Sequence, residues 1–125
     1  MERLLKFYIN GEWVVPQSTE TMPVLNPATA EQVAEVALGN EADVDVAVAA
    51  AKAAFEHFSQ TSKSERLALL RRIRLVSERR FEELAQAMRL EMGAPITMAR
   101  EAQADAAIGH LDGFIHALEK LEEQE

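Results

Sequence analysis

The hydrophobic pattern of the chain changes once along the sequence, from short alternating runs to helical spacing. Two apolar runs near the N-terminus, Phe7-Tyr8-Ile9 and Trp13-Val14-Val15, flank Asn10-Gly11, the dipeptide best suited to a type I′ hairpin turn. Residues 22–25 and 32–37 form a second pair of such runs around a turn-rich segment. The N-terminal part of the chain is therefore predicted to form two β-hairpins.

Beyond the hairpins, apolar residues recur every three or four positions, which is typical of amphipathic helices. Asn40 is a favourable N-cap for the first helix, and Ser62-x-x-Glu65 is a capping box that begins the second. Gly93 and Pro95 end a third helical segment in the usual manner of helix C-termini, and a fourth segment follows. Residues 40–125 are thus expected to form about four helices, which gives the chain an α+β fold.

Apolar stripes run along the first and the last of these helices, and the second helix carries another at Leu67, Leu70, Ile73 and Val76. The stripe of the first helix consists of Val44, Val48, Ala51 and Phe55. The stripe of the last helix consists of Ala104, Ile108, Leu111, Ile115 and Leu118. Stripes of this kind face the protein core or a partner.

The charge balance and the lack of cysteine exclude several classes of function. The 13 Lys and Arg residues against 21 Asp and Glu residues give a formal net charge of −8, which opposes binding to nucleic acid and to anionic membranes. Without cysteine, the chain cannot hold a disulfide or a thiolate metal site. No apolar segment is long enough for a membrane span or a secretory signal, so a cytoplasmic location is expected.

The histidines and arginines offer no complete catalytic or metal-binding motif. His57, His110 and His116 lack a second ligand at zinc-site spacing, and structural roles are the favoured interpretation. The arginines between residues 66 and 80 are compatible with an anion site. A solvated helix face is the favoured alternative, because acidic residues interleave with them and can form local ion pairs.

Five short motifs together identify a family resemblance. In chain order they are Tyr8-Ile9-Asn10-Gly11-Glu12-Trp13, Asn26-Pro27-Ala28-Thr29, Ala42-Asp43-Val44-Asp45 through Ala53-Ala54-Phe55, Arg66 with Leu69-Leu70, and Glu91-x-Gly93-x-Pro95. Their order and approximate spacing are similar to those of aldehyde dehydrogenases. Ala94 departs from the family pattern, because many members carry lysine there; little consequence is expected at a turn. The resemblance implies that residues 1–125 are the N-terminal part of such a subunit, with hairpins in 1–38 and helices in 40–125.

The resemblance also implies what the parent enzyme does and what this segment lacks. The parent resembles an α/β, Rossmann-like oxidoreductase that converts aldehydes to carboxylic acids with NAD or NADP, through a thiohemiacetal on a cysteine. No catalytic or cofactor-binding residue of the family has a matching position in this chain, which is therefore expected to be inactive alone. Its expected partner is the remainder of the subunit, within a homo-oligomer.

Two minor sites are implied by the resemblance residue by residue. Some members bind a monovalent cation through a main-chain carbonyl and an acidic side chain that match Leu25 and Glu91; solvation or capping of the helix end by Glu91 is an equally favoured alternative. The tunnel-facing helix of the family matches Ala102, Ala106 and His110, which share one helix face at i, i+4 and i+8. Ordinary helix packing is the favoured alternative to a substrate entrance there.

Two functional hypotheses remain. The first is an N-terminal fragment of an NAD(P)-dependent aldehyde dehydrogenase. The second is a standalone, non-catalytic interaction module that reuses this fold and associates through apolar surface that the rest of the subunit would cover. The first hypothesis expects the reading frame to continue beyond Glu125 into a cysteine-containing motif, and the second expects it to stop. Under either hypothesis, a chain that folds alone is expected to self-associate.

Overall fold

The computed structural model describes residues 2–121, with side chains from residue 4 onward, and the chain divides into two compact units. The first unit is Met1–Gln60 and the second is Thr61–Glu125, and each is described by itself. The first unit contains, in order, a 3₁₀ turn Glu2–Leu5, strands β1 Phe7–Ile9, β2 Glu12–Val14, β3 Thr21–Leu25 and β4 Gln32–Ala37, and helix α1 Glu41–Phe58.

The first hairpin has the predicted turn. β1 and β2 pair antiparallel, with Tyr8 opposite Trp13 and their ring centroids 5.2 Å apart. Asn10 and Gly11 both have positive φ, 52° and 83°, as a type I′ turn requires. The Asn-Gly signal in the sequence therefore identified both the hairpin and its turn correctly.

The second hairpin pairs β3 with β4 and closes through a tight loop. Asn26 organises this loop, because its side-chain oxygen accepts the N–H of Ala28 at 2.9 Å and its carbonyl accepts the N–H of Ala30 at 2.7 Å. Ala30 has φ of 60°, a left-handed conformation that an alanine adopts at a cost. A register shift between Val24 and Leu25 places a bulge at the end of β3.

α1 begins in a dense set of hydrogen bonds around Asp43. The side chain of Asn40 accepts the N–H of Asp43 at 3.1 Å, and the Asp43 carboxylate accepts the N–H of Asn40 at 3.0 Å, which completes a capping box. The same carboxylate accepts the N–H groups of Gln17 at 2.7 Å and Ser18 at 3.2 Å. These bonds, that from Gln17 first, lower the pKa of Asp43, whose side chain is buried. The start of α1 is thus tied to the segment between the hairpins.

The second unit is helical. It contains α2 Lys63–Arg79, α3 Phe81–Met92, α4 Ile96–Met98, a π-helical segment Ala99–Ala104 and α5 Asp105–Lys120. The capping box of Ser62 and Glu65 is present, and Gly93 ends α3 in the left-handed conformation with φ of 67°, so both predicted boundaries are confirmed. The last predicted helix corresponds to the run 96–120, although the π-helical turn inside it was not predicted.

Alanines form the centre of the second unit. Ala85 of α3 and Ala99 and Ala104 of the π-helical segment are completely inaccessible to solvent, and Ala94 is also buried. The larger side chains packed against this cluster are only partly buried: Phe81, Met88 and Ile96. Methyl side chains at these positions let the backbones of α3 and the π-helical segment approach closely.

Taken element by element, the chain has two small antiparallel sheets and a set of helices, so the predicted α+β class is confirmed. None of the described helices combines the length and the apolar character that crossing a lipid bilayer requires.

Candidate functional site

Ion pairs join α5 to α2 and identify the face of α5 that lies towards α2. The guanidinium of Arg74 donates to both carboxylate oxygens of Asp112, at 2.5 and 3.2 Å, and Arg71 pairs with Glu119 at 2.6 Å. The Lys63 ammonium donates to the carbonyl oxygens of Glu119 and Leu121 at 3.0 and 2.6 Å. It therefore satisfies carbonyl groups that the end of a helix leaves unpaired. The interaction with Asp112 raises the pKa of Arg74, which stays charged.

These contacts leave the predicted entrance residues on an open face. Ala102, Ala106 and His110 are all solvent-exposed. The same face continues to Phe114, whose side chain is 67% exposed. Phe114 was missed at the level of sequence, although its position at i+4 from His110 was sufficient to find it.

The π-helical segment contains both exposed and buried alanines. Ala102 lies between Ala99 and Ala104, both of which are buried, and is itself exposed. The wider turn of a π-helix shifts which positions point the same way, and such turns occur often at functional sites. In the same segment, the side-chain oxygen of Gln103 is buried and has no hydrogen-bond partner among the described residues.

The two residues predicted to bind a monovalent cation lie in different units. Leu25 is the last residue of β3, immediately after the bulge, and its side chain is half exposed. Glu91 is in the last turn of α3 and is exposed. Cation binding by this pair stays a prediction.

Several charged side chains of the second unit form local ion pairs. Arg80 pairs with Glu83 at 2.7 Å beside a cavity of about 400 Å³ between α2 and α3, and Arg74 also pairs with Glu78 at 3.2 Å. The contact with Arg80 lowers the pKa of Glu83 and raises that of Arg80. These local pairs are those predicted from the sequence, whereas the pairs from α2 to α5 were not predicted. Across residues 2–121, no three acidic, histidine or cysteine side chains come together as metal ligands.

Comparison with known proteins identifies the family to which the chain is similar. The model of the aldehyde dehydrogenase family matches residues 13–125. A curated relative from Staphylococcus aureus strain COL is 42% identical over 125 residues, which is 100% of this chain and 26% of that protein. The chain therefore spans about a quarter of the length of the curated relatives that it matches.

Solved structures agree with this match. A mutant of aldehyde dehydrogenase C from Pseudomonas syringae, in complex with NAD+ and octanal, matches 99% of this chain and 26% of its own, with a TM-score of 0.96 and 46% identity. The aldehyde dehydrogenase of Bartonella henselae matches 96% of this chain and 25% of its own, with a TM-score of 0.94 and 40% identity. The match covers both hairpins and the helices described above. The chain belongs to the aldehyde dehydrogenase family.

Proposed function

We propose that the chain is the N-terminal part of an NAD-dependent aldehyde dehydrogenase subunit, and that it has no catalytic activity alone. This proposal rests on one comparison: the family model matches residues 13–125, yet the chain covers only 26% of a relative's length. In the proposed parent, a cysteine thiolate attacks the aldehyde, the thiohemiacetal gives a hydride to the nicotinamide, and water releases the acid. These 125 residues contain no cysteine, so they cannot supply the thiolate for the first of these reaction steps.

NAD is the proposed cofactor of the parent. Support comes from relatives whose structures were solved with it: the Pseudomonas syringae enzyme with NAD+ and octanal, and an aldehyde dehydrogenase of Bacillus cereus with NAD+. The longer subunit is proposed to act as a cytoplasmic homo-oligomer.

A direct test is an activity assay on the purified, mass-verified 125-residue chain. With NAD or NADP and a series of aldehydes, no reduced cofactor is expected to form above the rate without protein. Turnover by this chain would contradict the proposal. The intact mass of the protein in its source cell is the second measurement, and a species several times heavier than 13.9 kDa that contains these peptides is expected.

Within the parent, the open face of α5 is proposed to form a wall of the substrate entrance. Ala102 and Ala106 are small and leave room, while His110 and Phe114 supply larger side chains further along the same face. His110→Phe in the complete subunit is expected to raise KM for bulky aldehydes severalfold more than for small ones. His116→Phe is the matched control, because His116 is also exposed on α5 but lies about 120° away around the helix. Equal effects of the two substitutions would contradict this assignment.

The alternative function, a standalone interaction module without catalysis, is favoured by one observation. Large apolar side chains are exposed along α1, including Val44, Phe55 and Phe58. Apolar side chains gathered on one face mark interaction sites. A species at 13.9 kDa in the source cell would support the module.

A further inference from the structure

The acidic residues through which α5 pairs with α2 lie on one side of the helix. Arg74 of α2 donates two hydrogen bonds to the carboxylate of Asp112, at 2.5 and 3.2 Å, and Arg71 pairs with Glu119 at 2.6 Å. At 100° per residue, Asp112 and Glu119 fall about 20° apart around the axis of α5. The side of α5 that bears these two carboxylates therefore lies towards α2.

The open face of α5, which carries Ala106, His110 and Phe114, lies on the opposite side of the helix. Successive members of this set are four positions apart, so they lie about 40° from one another around the axis, and all three are exposed. Asp112 is two positions from both His110 and Phe114, which places it about 160° from each. The pair Arg74–Asp112 therefore lies directly behind the two larger side chains of the open face, at the same level of the helix.

The contact between Arg74 and Asp112 fixes an orientation as well as a distance. A planar guanidinium that meets both oxygens of a carboxylate holds the two groups in one relative geometry. The side chain of Arg74 is 32% exposed, against 59% for Arg71, so its guanidinium is the more shielded of the two. The apolar stripe of α5 from Ile108 to Leu118 lies beside these carboxylates and is half-buried. Because apolar burial is non-directional, the stripe tolerates a small rotation of the helix that the two hydrogen bonds resist.

We propose that Arg74 and Asp112 are positioning residues of the substrate entrance: their ion pair sets the rotation of α5 about its axis and thereby the place of His110 and Phe114 in the entrance wall. A helix with its side chains is about 10–12 Å across, so a rotation of about 20° moves the tips of these side chains by about 2 Å. This role rests on the proposed function, in which the open face of α5 lines the entrance. The orientation of α5 itself is measurable without any activity.

A distance measurement in the 125-residue chain tests the orientation of α5. Because the chain has no cysteine, nitroxide labels attach only to cysteines introduced at Ala68 of α2 and Gly113 of α5. Both positions are exposed, and a Cβ at Gly113 would meet no side chain within 4 Å. Asp112→Ala should shift or broaden the distance distribution measured by pulsed electron paramagnetic resonance. Glu78→Ala is the matched control: it removes the other carboxylate partner of Arg74, at 3.2 Å on α2 itself, and should leave the distribution unchanged.

Kinetics of the complete subunit test the link to the entrance. Asp112→Ala is expected to raise KM for bulky aldehydes severalfold more than for small ones, with kcat less affected than KM, because the wall moves and the reacting groups do not. Arg74→Lys should act in the same direction, since an ammonium keeps the charge but cannot form the two parallel hydrogen bonds. Glu78→Ala should leave the ratio of the two KM values unchanged.

Each outcome bears on a different step. An unchanged label distance in Asp112→Ala, or equal effects of Asp112→Ala and Glu78→Ala in either measurement, would overturn the inference. If the label distance shifts but neither Asp112→Ala nor His110→Phe changes the KM ratio, the open face does not line the entrance, which overturns the inference together with that assignment. A complete subunit that oxidises no aldehyde would refute the proposed function, and the label distances would still decide whether Asp112 orients α5.

Discussion

Enlarging a single buried alanine tests whether the second unit depends on close approach of its helices. Ala99 in the π-helical segment is completely inaccessible to solvent, as is Ala85 of α3 in the same cluster. We consider Ala99→Leu, which adds three carbon atoms at this position. Ala102→Leu is the control, because it makes the same change on the exposed face of the same segment.

Two opposing effects set the size of the change. If the cluster had room, the added carbons would stabilise the fold by about 0.8 kcal/mol each, or roughly 2.4 kcal/mol in total. Without room, overpacking of a close-packed site destabilises by about 1–3 kcal/mol. The zero exposure of Ala99 among other buried alanines favours the second effect. For Ala102→Leu, a change within about 0.5 kcal/mol is expected, as for most exposed positions.

Urea unfolding followed by far-UV circular dichroism measures the difference, since this signal reports mainly on helices. With a urea m-value of about 2 kcal/mol/M, a loss of 2 kcal/mol lowers the midpoint by about 1 M. Ala99→Leu should therefore unfold at a clearly lower urea concentration than Ala102→Leu. A midpoint for Ala99→Leu that equals or exceeds that of the control would refute the close-approach argument.

Three further perturbations follow from local contacts. Ala30→Gly should stabilise the first unit by about 0.5–1 kcal/mol, because φ of 60° costs alanine more than glycine, while Ala28→Gly should not stabilise; thermal unfolding compares them. Asn40→Ala should lower the stability of α1 by about 1 kcal/mol through loss of its cap, measured by urea unfolding. The hydrogen bond from Arg100, and then that from Gln86, lower the pKa of Glu82 from 4.5 to about 2. The stability from this contact is complete above about pH 4.5 and is lost as the pH falls towards 2. Glu82→Gln should flatten the acid dependence in that window, and an unchanged dependence would exclude the contact as its source.

Features set by neighbouring residues could be predicted from the sequence. Asn10-Gly11 specifies its turn because both residues tolerate positive φ, and Ser62 caps α2 because its partner Glu65 is three positions away. The family resemblance could also be recognised from the sequence, because its motifs follow the order found in the family.

Features set by distant residues could not be predicted. The carboxylate of Asp43 was placed at a helix start, but its bonds to Gln17 and Ser18 span 26 and 25 positions. The pair Arg74–Asp112 spans 38 positions, and the buried alanines of the π-helical segment belong to one cluster with Ala85 of α3. Periodicity gives the faces of a helix, but not which face another element will cover.

α1 forms although its apolar stripe is exposed. Most helices in proteins derive their stability from packing of the apolar face. In α1, the capping box of Asn40 and Asp43, together with the bonds from Gln17 and Ser18, fixes the first turn without any contribution from the stripe. The first turn of α1 therefore does not depend on complete burial of the stripe. Asn40→Ala should then weaken the helix, whereas Ala51→Arg should leave it formed.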